Sequence, residues 1–131
     1  MNSEWEHAVT SGDSDAVSQL LQEGADVDAR DRYGRTGLMI AAHAGHLHVV
    51  ETLIASGADL NVTAKYGFSA LMLAAVSGHE EIARTLAAAG ADRAIRGTGA
   101  PGFDGKTAAD LAADRGLGSL AADLDIGRRR A

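Results

Sequence analysis

Residues 100–107 read Ala-Pro-Gly-Phe-Asp-Gly-Lys-Thr, the spacing of a relaxed phosphate-binding loop, and Gly97, Gly99 and Gly102 add a G-x-G-x-x-G spacing across it. In such a loop backbone N–H groups form a nest for phosphates, the Lys sits on them and the Thr hydroxyl holds magnesium. A second cluster, His43, His46 and His48, has a density that can bind zinc or nickel. Neither has the surroundings its chemistry needs. The phosphate loop requires a buried strand ahead of it and a sheet carrying a metal-binding Asp, and Asp92-Arg93-Ala94-Ile95-Arg96 is not a buried strand. The histidines straddle a glycine, Gly45, instead of forming an i, i+4 pair on one helix face. Cysteine is absent, which removes thiol redox chemistry and cysteine-based zinc sites. No nucleophile, base and orienting group recur together. The expectation is therefore no cofactor, no metal and no enzyme. A nucleotide binder or enzyme using the Gly-Lys-Thr segment remains the alternative from that class.

The elements that carry these residues follow from an internal repeat. Gly24-Ala25-Asp26 returns as Gly57-Ala58-Asp59 and Gly90-Ala91-Asp92, at a spacing of 33 both times. The segment from Tyr33 to Ala42 returns 33 residues later as Tyr66 to Ala75, and Gly45-His46 as Gly78-His79. The same count backwards places Trp5 under Leu38, a core position, and Gly12 under Gly45. Forwards, Gly105 to Ala113 matches Gly34 to Ala42 at an offset of 71, so five residues are inserted between Asp92 and Gly105. Gly105 and Thr107 thereby become the turn glycine and helix cap of a repeat, and Lys106 aligns with Arg35 and Phe68.

Within one module, Thr36, Ser69 and Thr107 open short apolar stretches as helix N-caps do. About two turns of helix are expected from there to His43, Val76 and Asp114, stopped at Gly45, Gly78 and Gly116. A second amphipathic helix follows, with Leu47, Val50, Leu53 and Ile54 on one face, then Ile82, Leu86 and Ala89 in the next module. A polar turn leads to the following module.

This pattern of turn glycine, helix-opening Thr, Ala-Ala, Gly-His and Gly-Ala-Asp resembles the ankyrin repeat family, over about Glu4 to Ile126. The resemblance implies an all-α solenoid with short β-hairpin turns, in which four stacked helix-turn-helix modules make a concave face. The expected modules are 1–30, 31–63, 64–101 with the insertion in the following hairpin, and 102–127, with an Arg-rich tail at 128–131, all in one domain of 131 residues. The first and last are expected as capping repeats. The family's Pro after the opening Thr is missing, with Gly37, Ala70 and Ala108 in its place. Its His is replaced by Met39, Met72 and Asp110, so the bracing that His gives the helix start is expected to be lost. Gly37 near a helix start is expected to cost less than about 1 kcal/mol relative to Ala. Met39 and Met72 are expected to stack as an apolar ladder.

The composition agrees: 27 Ala and 16 Gly suit close helix packing and frequent turns, and speak against a sandwich or barrel. The net charge of −6 is concentrated in residues 1–31, which hold eight acids and one base. That balance excludes nucleic acid as the default partner, and no apolar run reaches a membrane span of about 20 residues. The acidic start lacks a signal-peptide pattern. A soluble, cytoplasmic, monomeric protein is expected, without a membrane partner. Ala and Arg are abundant and Lys scarce, as in a GC-rich bacterial genome.

Aromatics make up only 4% of the chain, yet Tyr33, Tyr66, Phe68 and Phe103 gather at the turns before inner helices, beside Arg32, Arg35, Lys65 and Lys106. Tyr, Phe and Arg are enriched at interfaces. The resemblance places these turns among the family's partner-contacting positions. The expected function is a non-enzymatic protein–protein interaction module. Its partner-binding residues are Arg32, Tyr33, Arg35, Lys65, Tyr66, Phe68, Phe103 and Lys106, with His43 and Arg115 from inner-helix ends. The rings would bury area and the cations would steer a protein partner with an acidic or mixed surface. A self-associating structural solenoid is the other alternative. The insertion is either a specificity loop or drift in a surface turn.

Overall fold

The structure, a computed structural model, describes residues 1–126. The Arg-rich tail expected at 128–131 lies outside them. Helices alternate along the chain as α1 (Ser3–Ser11), α2 (Ser14–Gln22), α3 (Gly37–Ala44), α4 (Leu47–Ala55), α5 (Ala70–Val76), α6 (Glu80–Ala88), α7 (Ala108–Asp114) and α8 (Gly118–Leu124). The odd-numbered helices stack in one layer and the even-numbered ones in a second, and each odd helix also packs on the even helix that follows it. The turns between modules carry isolated bridges, Arg30 with Thr36 and Gly97 with Asp104, and no longer strand among the described residues. No helix among the described residues is long and apolar enough to cross a membrane.

Each inner helix starts where its hydroxyl residue captures a free N–H. Thr36, Ser69 and Thr107 accept from the N–H groups of Met39, Met72 and Asp110. In the fourth module the expected loss of bracing does not occur. Asp110 accepts in return from the Thr107 N–H at 3.0 Å, closing a capping box. Met39 and Met72, at the same position in the other two modules, are buried in the packed α3–α5 layer.

The inner helices pack closely because several of their buried positions are small. Ala41, Ala42, Ala74, Ala75 and Ala112 are fully buried, which lets the inner helices approach closely. Trp5 is buried as expected. Its bulk explains Gly37: a Cβ there would lie 3.1 Å from Val9 Cγ1 and 3.2 Å from Trp5 Nε1. The helix-propensity cost of Gly37 is thus the space the Trp5 ring occupies. The outer helices depart slightly from the expected faces. In α4, Val49 joins Val50 and Leu53 in the core while Leu47 and Ile54 are half-buried; Ala89 ends α6 exposed. The outer helix meets both its own inner helix and the neighbouring outer helices, so its buried stripe is wider than one row.

Two sets of hydrogen bonds tie one module to the next. His46 Nε2 donates to the Thr10 carbonyl at 2.9 Å, and His79 Nε2 to the His43 carbonyl at 3.0 Å. Each imidazole satisfies an otherwise unpaired carbonyl in the last turn of the preceding inner helix. On the opposite side of the module, Asp28 accepts from the Asp59 N–H and Asn61 from the Asp92 N–H. The histidine reaches its carbonyl only because a glycine lies beneath it. A Cβ on Gly45 would sit 2.8 Å from His79 Cε1, and Gly45 itself adopts φ +86°. In the fourth module Leu117 stands at the histidine position, and Arg115 covers Gly78 instead, its guanidinium 3.0 Å from where a Cβ would be.

Gly45→Ala should therefore destabilise the chain by more than the ~1–2 kcal/mol of a left-handed backbone alone. In a His79→Ala background only that backbone cost should remain, which urea unfolding of the four proteins measures. Equal losses in both backgrounds would mean that the imidazole does not rest on Gly45.

Candidate functional site

The first hairpin is built around Asp31. Its carboxylate accepts from the N–H groups of Tyr33 and Arg35, both at 2.9 Å, and from Arg35 Nε at 2.8 Å. An Asp that bonds its own following backbone fixes a turn without help from a strand. Burial raises the Asp31 pKa, but the hydrogen bonds from the Arg35 N–H, the Arg35 guanidinium and the Tyr33 N–H outweigh it and hold the carboxyl below its ordinary range. The turn aims Tyr33 outward, 58% exposed, with the Arg32 and Arg35 guanidinium groups 5.8 Å and 5.3 Å from its ring centre.

The second hairpin closes through Ala64 N–H to the Phe68 carbonyl and Gly67 N–H to the Ala64 carbonyl. It carries Tyr66 at φ +65°, the one non-glycine residue in the left-handed region among those described. Left-handed backbone costs a residue with a Cβ roughly 1–2 kcal/mol. The Tyr66 conformation is held by the insertion, whose Thr98 N–H donates to the Tyr66 carbonyl at 2.7 Å. The ring is 43% exposed and the Lys65 ammonium lies 5.1 Å from its centre.

Between these two hairpins is an open pocket of about 190 Å³ with almost entirely apolar walls. Five of the ten residues singled out from sequence line it: Tyr33, Arg35, Lys65, Tyr66 and Phe68. Ala64 and Leu73 complete it. Neither is legible as a site residue, because Leu73 reads as core in the repeat register and Ala64 has no distinguishing chemistry. Arg32 flanks the pocket through Tyr33. Phe103 does not line it; it meets Phe68 edge-on, 5.3 Å between centres. Lys106 donates to Asp114, while His43 Nδ1 lies 2.9 Å from Ser77 Oγ at the end of α3. His43, Lys106 and Arg115 are outside the pocket lining.

The phosphate-loop spacing has a different use. The N–H groups of Gly97, Gly99, Phe103, Asp104, Gly105 and Lys106 all donate within residues 97–106. Thr107 Oγ1 caps α7, and Lys106 is paired with Asp114. The amides that a nest would aim at phosphate thus hold the lengthened hairpin together. His46 and His79 are engaged by carbonyls, and no group of three or more His, Asp or Glu among the described residues is placed to hold a metal ion.

Stacked helix pairs with a row of projecting hairpins define a helical repeat solenoid, a class whose side chains face partners along a continuous surface. A family profile of ankyrin repeats, three copies, matches residues 5–96. Two ankyrin repeat proteins of Rickettsia felis are each 39% identical to the chain over 49 residues. Those alignments cover 37% of this chain and 78% and 74% of the two relatives. The chain belongs to the ankyrin repeat family, whose general role is protein–protein interaction.

The Asp31 geometry makes a pH-dependent prediction. A carboxyl with a depressed folded-state pKa contributes stability above its unfolded pKa and loses it as pH falls through the folded value. Asp31→Asn should cost about 1 kcal/mol at neutral pH, the scale of one net intramolecular hydrogen bond. The difference from the unsubstituted chain should close in acid. Unfolding midpoints across pH measure this, and a gap that stays constant into acid would contradict the assigned role.

Proposed function

We propose that residues 1–131 act as one monomeric, cytoplasmic, non-enzymatic module that binds a partner protein through its concave face and hairpin turns. Arg32, Tyr33, Arg35, His43, Lys65, Tyr66, Phe68, Phe103, Lys106 and Arg115 are its candidate contacts, with the pocket between the first two hairpins at the centre. The observation that carries this reading is Tyr66. An exposed aromatic ring is held on a left-handed backbone beside an apolar pocket, where glycine would be the stable choice. Strain retained in a turn, on an exposed side chain, favours a role outside the fold. Exposed Tyr33 on the facing hairpin supplies a second rigid ring, of the kind that anchors interfaces.

Arg35 and Lys106 are paired with Asp31 and Asp114, so steering falls chiefly to Arg32, Lys65 and Arg115. The partner surface is read as acidic or mixed on that account.

Tyr66→Gly separates binding from folding. It should leave the chain as stable or more stable, by up to about 1 kcal/mol, while reducing capture of partner proteins from the native cell. Tyr33→Ala should reduce capture of the same proteins. Retention of the same partners by both variants would overturn the site. Saturable thermal stabilisation by magnesium-ATP, lost in Lys106→Ala, would favour the nucleotide-binding alternative. A concentration-dependent dimer in sedimentation that buries the Tyr rings would favour self-association.

A further inference from the structure

Two neighbouring spaces in the hairpin row are built alike and filled differently. Between the second and third hairpins, Phe103 sits edge-on against Phe68 and packs on the margin of the core. Counted from the turn glycines Gly67 and Gly105, the residue of the second hairpin equivalent to Phe103 is Lys65. Lys65 does not fill the corresponding space between the first and second hairpins, because its ammonium lies over the Tyr66 ring. The residue equivalent to Phe68 is there Arg35, whose guanidinium is drawn to Asp31 and Tyr33. What remains is the open apolar pocket of about 190 Å³. The protein thus carries one aromatic-filled slot of its own, and a vacant one a module earlier.

The charge around the vacant slot is one-sided. Arg32 and Lys65 stand at its rim and make no ion pair among the described residues. The carboxylate of the first hairpin, Asp31, is engaged by Arg35, and its side chain is 6% exposed. The rim therefore presents uncompensated cations on a chain whose total charge is −6. Tyr33 and Tyr66, both exposed, belong to the two hairpins that flank the slot, so a side chain reaches it from a segment lying between the rings.

We propose that the vacant slot takes a single aromatic side chain from an extended acidic segment of the partner protein, as Phe103 occupies the slot beside it. The partner's carboxylates meet Arg32 and Lys65 on either side of the anchor, and the Arg35 guanidinium faces the inserted ring as a cation–π partner. This rests on the reading of the hairpin row as a protein-binding surface and names the chemistry of what binds.

Fluorescein-labelled synthetic peptides test it on the full chain by fluorescence polarisation. One peptide carries a central Phe flanked by Asp and Glu, a second has Ala for the Phe, and a third keeps the Phe with Lys in place of every acid. The first should bind, weakening with salt as exposed charge pairs do, and the other two should bind at least about tenfold more weakly. Lys65→Phe supplies the chain with its own plug, as in the third hairpin, and should abolish binding of the first peptide. Lys65→Ala, which removes the charge without supplying a plug, should weaken it severalfold. Equal binding of the Lys-flanked peptide would overturn the acidic character of the partner. Equal binding of the Ala peptide, or equal behaviour of Lys65→Phe and Lys65→Ala, would overturn the anchor. If no peptide binds while native partners are still lost on Tyr66→Gly, this inference falls and the interaction surface stands. If native capture also ignores Tyr66→Gly, the surface itself falls.

Discussion

A helix of two turns does not hold itself together in water, because nucleating it costs more than its few hydrogen bonds return. Every inner helix of this chain is of that length, so the interface between modules is the constraint on which the rest depends. The stack answers it with small buried residues that let helices touch, and with hydrogen bonds that cross from one module to the next. The imidazoles of His46 and His79 close the last turns of the helices before them. Asp28 and Asn61 hold the loop ends. The same residue types recur because the same orphaned backbone groups recur.

The hairpins inherit their placement from this stack. They contain almost no sheet, and their rigidity comes from local bonds: the Asp31 carboxylate in the first, a tight left-handed turn in the second, and a network of amides in the third. The insertion ties the third hairpin to the second through Thr98 and places Phe103 against Phe68. Its effect is to fix Tyr66 and to close one side of the row, leaving the first two hairpins as the open part. Rings whose backbones are already fixed lose little conformational entropy on binding.

Much of the fold was legible because a repeat states the same rule several times. Caps, inner-helix extents and the burial of Trp5 all follow from the period of 33. Features peculiar to one module were less visible. The cost assigned to Gly37 is room for a ring from another module, and sequence distance hides that neighbour. Asp110 supplies the brace that the missing His would give, because a carboxylate three residues past a cap can do the work of an imidazole. At the candidate site, residue types were readable from their position at the turns. Their pairing was not: Arg35 and Lys106 are committed to carboxylates, Phe68 and Phe103 to each other, and only the fold reveals which rings remain available.

In the proposed function a partner lands in the pocket between the first and second hairpins. Hydrogen-exchange mass spectrometry of the chain, alone and with a partner captured from its native cell, addresses that most directly. Protection concentrated on residues 32–35 and 64–73, with the outer helices α2, α4 and α6 unchanged, is the predicted result. Protection confined to those outer helices, with the hairpins exchanging as in the free chain, would contradict it.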